Sequence, residues 1–121
     1  MKKLTAQEKK EYMSKIWVTW HQVGYGIRMY LAFHPENIGP IGMVWGFAAS
    51  ETQFHVLYSF VLPYCRRKGV RTTINETIHK HHKVIHTWQG SKTGGEKFLK
   101  ASGYEYNKTR DDWILVRKNK R

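Results

Sequence analysis

The spacing of apolar residues changes period along the chain. Over residues 5–20 it is helical: Ala6, Met13, Ile16, Trp17 and Trp20 fall near one face, with Lys9, Lys10 and Lys15 off it. A helix is therefore expected there, ended by Gly24 and Gly26. From residue 27 the period becomes two, with Ile27, Met29, Leu31 and Phe33 alternating with Arg28, Tyr30 and Ala32, which predicts a strand over 27–33. Pro35-Glu36-Asn37 and Gly39-Pro40 mark a turn. Residues 41–48 are dense in apolar side chains and predict a strand buried on both faces. After a short turn at 50–53, residues 54–62 are β-branched and aromatic and predict a third strand.

Pro63 ends that strand, and a basic loop follows, Cys65-Arg66-Arg67-Lys68-Gly69-Val70-Arg71. Thr72 is the expected start of a helix that runs to about His82, with Ile74 and Ile78 on one face and Glu76 in its first turn. Residues 84–88 predict a short strand, and 94–102 a short helix carrying Phe98 and Leu99 and stopped by Gly103. Residues 104–108 and 113–117 predict a closing hairpin around 109–112. Helix, three strands, helix, strand, helix and two strands make an α+β fold, with a mixed, mostly antiparallel sheet of about six strands and flanking helices.

Composition narrows the class. A chain of 121 residues is a single domain over 1–121, with an N-terminal helix within 1–22, a strand–loop–helix unit over 54–82 and a C-terminal unit over 84–117. Hydrophobic residues at 40% and aromatics at 14% are enough for a core and argue against disorder. The single cysteine, Cys65, excludes a disulfide framework and an all-cysteine zinc site, and it suits a reducing cytosol. The longest apolar run, 41–49, is about half of the roughly 20 residues that span a bilayer. The lysine-rich start is unlike a signal peptide, so a cytoplasmic location without membrane contact is expected. Lys and Arg number 21 against 9 acidic residues, a formal charge of +12, which points to a polyanionic partner: nucleic acid, an acidic protein or a phosphate-rich cofactor.

The loop after Pro63 carries the most chemistry. A strand, a basic glycine-containing loop and a helix start together make a pyrophosphate cradle: free amides and cations meet the anion, and glycine permits close approach. A solvated basic turn is the alternative. The triplet of a Walker loop and the three glycines of a Rossmann loop are both missing.

Arg66-x-x-Gly69-x-Arg71, preceded by a hydrophobic strand and Pro63, resembles the acetyl-CoA loop of the GNAT acetyltransferases, Gln/Arg-x-x-Gly-x-Gly/Ala. Phe98-Leu99-Lys100-x-x-Gly103-Tyr104 is similar to the family's Phe-Tyr-x-x-x-Gly-Phe segment, and Trp113-Ile114-Leu115-Val116 to its last strand. The resemblance covers about residues 27–117 and implies the GNAT fold and an N-acetyltransferase that uses acetyl-CoA. It implies that the amides of Phe60, Val61 and Leu62 bond the pantetheine arm and the thioester oxygen. It likewise implies that Arg66, Arg67, Lys68, Gly69, Val70, Arg71 and Thr72 hold the pyrophosphate and that Phe98 packs near the cofactor. Ser91 or Lys92 falls where members often carry a cofactor-contacting Asn. His55 aligns with the family's frequent glutamate base and is a competent base at neutral pH, with a strand-edge histidine as the bland reading; Glu51 is the fallback. Tyr58 and Ser59 are candidates for lining the acceptor cleft, Tyr58 equally for the core.

The chain departs from the family at three places. Arg71 stands where Gly or Ala is usual, and either crowds the phosphates, if φ is positive there, or adds a phosphate contact. Leu99 replaces a frequent catalytic Tyr and cannot protonate a leaving thiolate. The N-terminal part is short, which leaves the acceptor side open or completed by a second subunit in a homodimer. The acceptor expected is a primary amine on a protein or an aminoacyl-tRNA, with general nucleic-acid affinity from the charge. The alternative is a GNAT-fold protein that acts by binding a host or virion partner, since residues 88–103 also resemble GNAT-like proteins of bacteriophages. A nucleic-acid-binding module is the third reading, and no helix-turn-helix, zinc-finger or RNP signature supports it. His79, His81, His82 and His86 invite a metal reading, but one helix supplies most of them with few carboxylates near, so no metal site is assigned.

Overall fold

In a computed structural model, whose described residues are 4–87 and 95–117, the first helix is shorter than its apolar spacing predicts. Helix α1 (Ala6–Ser14) starts at a capping box, in which the Thr5 hydroxyl accepts from the Glu8 amide and the Glu8 carboxylate accepts from the Thr5 amide. Beyond Lys15 the chain becomes strand β1 (Trp17–Gly24), which pairs antiparallel with β2 (Ile27–Phe33) from Trp17↔Phe33 to Gly24↔Ile27. Trp17-Val18-Thr19-Trp20 is an aromatic, β-branched run, and a neighbouring strand edge decides its conformation over an ambiguous apolar spacing. Gly26, at φ 74°, closes this hairpin.

Strands β3 (Gly42–Ala48) and β4 (Gln53–Val61) continue the meander. Helix α2 (Val70–His81) then crosses to β5 (Val84–Thr87), which lies parallel to β4. Helix α3 (Gly95–Ala101) leads to the hairpin β6 (Glu105–Asn107) and β7 (Asp112–Val116). The result is one seven-stranded sheet in the order β1-β2-β3-β4-β5-β7-β6, one strand more than expected, and antiparallel except at β4–β5.

The sheet has two unlike faces. Tyr30, Ala32, Val44, Phe54, Val56 and Ile85 point to the α2 side and are buried with Val70, Ile74 and Ile78 of that helix. A Cβ on Gly42 would lie 2.6 Å from Val70 Cγ1, so α2 rests directly on β3. Cross-strand pairing puts Met43, Trp45 and Phe47 on the other face, half-buried or exposed. Strand β3 therefore alternates and is not buried on both sides as its composition suggested, because no helix among the described residues covers that second face.

Candidate functional site

Strand β4 is the axis of the site. Its pairing with β3 slips between Trp45 and Gly46, so that Tyr58 faces Trp45 and Val56 faces Gly46 while Leu57 has no opposite residue. This is a β-bulge, a feature that re-aims side chains and interrupts pairing. On the other edge, β5 pairs only with Gln53 to Val56. From Leu57 to Val61, β4 has no strand partner on that edge among the described residues. Unpaired strand groups are strong donors and acceptors that seek partners. Arg66 takes one of them: its Nε donates to the Val61 carbonyl at 2.9 Å, and its guanidinium lies 5.5 Å from the centre of the Phe60 ring.

The edge leads into the loop. Pro63–Cys65 form a single 3₁₀ turn, Arg67 takes a left-handed φ of 64°, and Gly69 takes φ 84° as the N-cap of α2. Helix α2 thus begins two residues earlier than Thr72, and Val70, Arg71 and Thr72 form its opening. The first amides of a helix have no intrahelical acceptor, and no side chain caps these. Glu76 lies beyond the first turn, which holds no acidic residue, so the expected dipole pairing is replaced by a wholly basic entrance. Lys68 Nζ lies 5.0 Å over the Tyr12 ring of α1.

Gly69 is fixed by packing as well as by φ. A Cβ there would lie 2.3 Å from Met13 Sδ. Arg71 is helical, so the positive φ that would make it crowd an anion falls on Arg67 and Gly69 instead. Its guanidinium reaches sideways to Asn75 Oδ1 at 3.1 Å and the Tyr104 hydroxyl at 3.3 Å.

The two candidate bases lie apart. His55 projects from the face opposite α2 into an open groove of about 400 Å³ lined also by Ile27, Phe47, Ala49, Leu57 and Arg110. Glu51 lies at the β3–β4 turn, in a depression of about 680 Å³ with Arg28, Ser50, Lys80, His81 and His82 at the C-terminal end of α2. The sheet separates them, so they do not serve one reacting atom. Tyr58 is exposed beside Trp45 rather than in the core. Leu99 is buried, and Cys65 is buried beneath the loop. Ser91 and Lys92 lie outside the described residues, as do the side chain of Phe98 and the end of the strand expected at Trp88.

Sequence reasoning missed what lies beneath His55. Its ring stacks on His86 at 4.3 Å, with the planes 8° apart. His86 Nδ1 is 3.1 Å from Asp112 Oδ2, and its Nε2 meets the side-chain amide of Gln53. Arg110 Nε lies 3.6 Å from the same carboxylate oxygen. His86 and Asp112 are buried. Burial, then the neighbouring His86 and Arg110, holds the His55 pKa below its ordinary value, so the ring is neutral with a lone pair at pH 7. The parallel register that joins His55 to His86 comes from the crossover through α2, and spacing along the chain gives no sign of it. The other histidines turn to separate partners: His79 to the Leu115 carbonyl, His81 to the Tyr30 hydroxyl, and His82 to Arg28 and the Ser50 carbonyl. No three metal-binding side chains converge among the described residues.

A meander, a bulged β4, a parallel β5 paired with its first half and a basic loop leading into the helix between them define the architecture. It superimposes on a GNAT-family acetyltransferase of Elizabethkingia anophelis with acetyl-CoA bound, at TM-score 0.58 and 13% identity, over 85% of this chain and 99% of that one. The chain has the GNAT fold. A GNAT-family acetyltransferase of Staphylococcus aureus aligns at TM-score 0.61 and 13% identity, over 77% and 69% of the two chains. The N-acetyltransferase PseH of Campylobacter jejuni, in complex with acetyl coenzyme A, aligns at 0.57 and 14%, over 78% and 71%. No protein-family model and no curated protein matches the sequence, so the bacteriophage resemblance finds no support there. No helix among the described residues is long and apolar enough to cross a membrane.

Proposed function

We propose that this chain is an acetyl-CoA-dependent N-acetyltransferase acting on a primary amine, with His55 as the general base. The observation that carries the reading is the continuity of one surface: a β4 edge with no strand partner among the described residues, beside a bulge, runs into a basic loop at the start of α2. These groups fit the donor. Arg66, Arg67 and Lys68 supply positive charge, the opening amides of α2 from Val70 to Thr72 supply donors for a pyrophosphate, and the edge from Leu57 to Val61 supplies strand bonds for an extended amide arm. The crystal complexes of GNAT-fold relatives with acetyl-CoA support this choice of anion.

When bound, acetyl-CoA supplies an acyl thioester. An amine is protonated at neutral pH, and His55 takes that proton at its lone-pair nitrogen. The stacked His86, held by Asp112 and Gln53, fixes the plane of the His55 ring. An amide on the β4 edge near Leu57 donates to the developing oxyanion. Glu51 is not part of this proposal, because it opens onto the other face. The charge of +12 favours acceptors on acidic or RNA-linked molecules in a cytoplasmic setting.

A second reading is a GNAT-fold protein that binds without turnover. Buried Leu99, in place of a residue that can protonate the leaving thiolate, and Arg66 on the Val61 carbonyl favour it. Calorimetry with acetyl-CoA at near-physiological salt separates the outcomes. Micromolar binding, weakened at least tenfold by Lys68→Glu, together with amine acetylation lost in His55→Ala, is expected. Binding without acetylation of any amine supports the second reading, and no binding by the folded protein overturns both.

A further inference from the structure

The geometry points to the open face of β1–β4 as the interface of a homodimer, with a second copy of this chain packed sheet to sheet across a two-fold axis. This inference stands on the surface alone and not on the catalytic proposal.

Pairing puts Trp17, Phe33, Met29, Leu31 and Ile27 of β1 and β2 on this face, beside Met43, Trp45 and Phe47 of β3 and Tyr58 and Phe60 of β4. Trp17, on the edge strand, is 51% exposed, and Tyr58, Phe47 and Phe60, further into the sheet, are 42%, 41% and 39% exposed. Trp17 and Phe33 stack at 5.5 Å across the β1–β2 pair. An aromatic side chain carries about 200 Å². These fractions and the half-buried neighbours then give about 600 Å² of contiguous apolar surface. That is at the upper limit for the largest patch on a monomer. It is close to the roughly 800 Å² per partner of a stable interface, the remainder coming from the rim.

Charge identifies the occupant. The chain carries 21 Lys and Arg, yet β1–β4 contain one of them, Arg28, and no Asp or Glu. Arg28 is turned to the α2 side, where it meets His82. An acidic partner would find counter-charge only at the margins, from Arg66 over the Phe60 ring and from Arg110 in the His55 groove. A mainly aromatic and aliphatic face, with Thr19 and His21 its polar members on β1, is complementary to itself, and a two-fold axis brings the same patch to both sides. Arg66 and Arg110 are both solvent-exposed and lie at the rim of such a contact. Ile27, Phe47 and Leu57 belong both to this side and to the His55 groove, so the second copy would wall that groove.

Sedimentation velocity on the full chain from 1 to 100 µM, at 0.3 M salt to screen the +12 charge, tests the proposal. A dimer is expected, weakened at least tenfold by Tyr58→Lys and by Trp17→Lys and unchanged by Ile38→Lys, whose side chain is exposed in a turn off this face. Circular dichroism checks that each variant is folded, and either face variant suffices if the other is not. A wild-type monomer at 100 µM overturns the proposal, and so does a dimer indifferent to the folded face variants. Capture of an unrelated protein by a monomeric chain also counts against it.

Discussion

The glycine of the loop offers the sharpest quantitative test, because two independent costs meet there. Gly69 sits at φ 84°, and a Cβ would lie 2.3 Å from Met13 Sδ and 2.4 Å from its Cγ. A side chain in left-handed backbone costs about 1–2 kcal/mol. Making room for a methyl costs about 0.5–1.5 kcal/mol more, since the flexible Met13 side chain must leave its rotamer. Gly69→Ala should therefore destabilise by about 1.5–3.5 kcal/mol, and a domain of this size loses about 4 °C of melting temperature per kcal/mol. Urea and thermal unfolding measure it. A double-mutant cycle with Met13→Ala divides the effect: the steric part should vanish, giving a coupling of about 0.5–1.5 kcal/mol, while the left-handed cost remains. A Gly69→Ala loss under about 0.5 kcal/mol, or a coupling of zero, refutes the argument. The same geometry makes Gly69 a poor place to probe anion binding, because any side chain there strains the left-handed backbone at the helix start; Lys68→Glu changes the charge without that strain.

Other expectations follow from the same structure. Arg67→Gly should raise stability by about 0.5–1 kcal/mol, as relief of φ 64° outweighs the extra freedom of glycine in the unfolded chain; urea midpoints check it. Asp112→Ala strands buried His86 without its carboxylate and should cost about 3 kcal/mol in the same assay. His55, His79, His81 and His82 all have pKa values lowered first by burial, so the unfolded chain binds more protons than the folded one as pH falls. Their contribution is whole above the ordinary histidine value near 6.5 and is lost on acidification through it, so urea midpoints should fall from pH 7.5 to 5.5. If His55 is the base, the acid limb of the acetylation rate should lie below that ordinary value, measured on a slow amine so that chemistry limits.

How far the chain could be read differs by element, for physical reasons. The alternation at 27–33 and the apolar face of α2 depend on local period, and both elements were legible. Residues 17–20 were not, since Trp and Val at helical spacing suit a helix until an adjacent strand edge offers them backbone partners. The loop's place between a strand and a helix was legible because glycine and proline are local signals. Its detail was not: which residue takes positive φ depends on how Met13 of α1 packs, a contact across 56 positions. His55 was singled out as a candidate by resemblance, whereas its neighbours Gln53, His86 and Asp112 meet only through the parallel crossover and the final hairpin. The open face was hidden for a similar reason, since composition counts the aromatic residues without saying that, among the described residues, no helix packs on that side of the sheet.

The charges show why a site of this kind holds little stability of its own. The C-terminal end of α2 carries Lys80, whose charge complements the helix dipole, between His79 and His81, which burial holds neutral. Its N-terminal end is approached by Arg66, Arg67 and Lys68 with no acidic residue in the first turn, an arrangement in which the cations oppose the dipole and one another. Two of these side chains are quieted locally, Arg66 by the Val61 carbonyl and Lys68 by the Tyr12 ring, and neither contact neutralises charge. The left-handed Arg67 adds backbone strain at the same place. The two electrostatic costs are poorly explained by folding alone, because salt bridges or a capping aspartate would remove them. On the proposed function a polyphosphate seated on the helix amides would offset both, and an anion at 100 times its Kd would return about 2.7 kcal/mol of stability. The strain at Arg67 would remain in the bound state, so under that reading the loop holds its shape before the anion arrives.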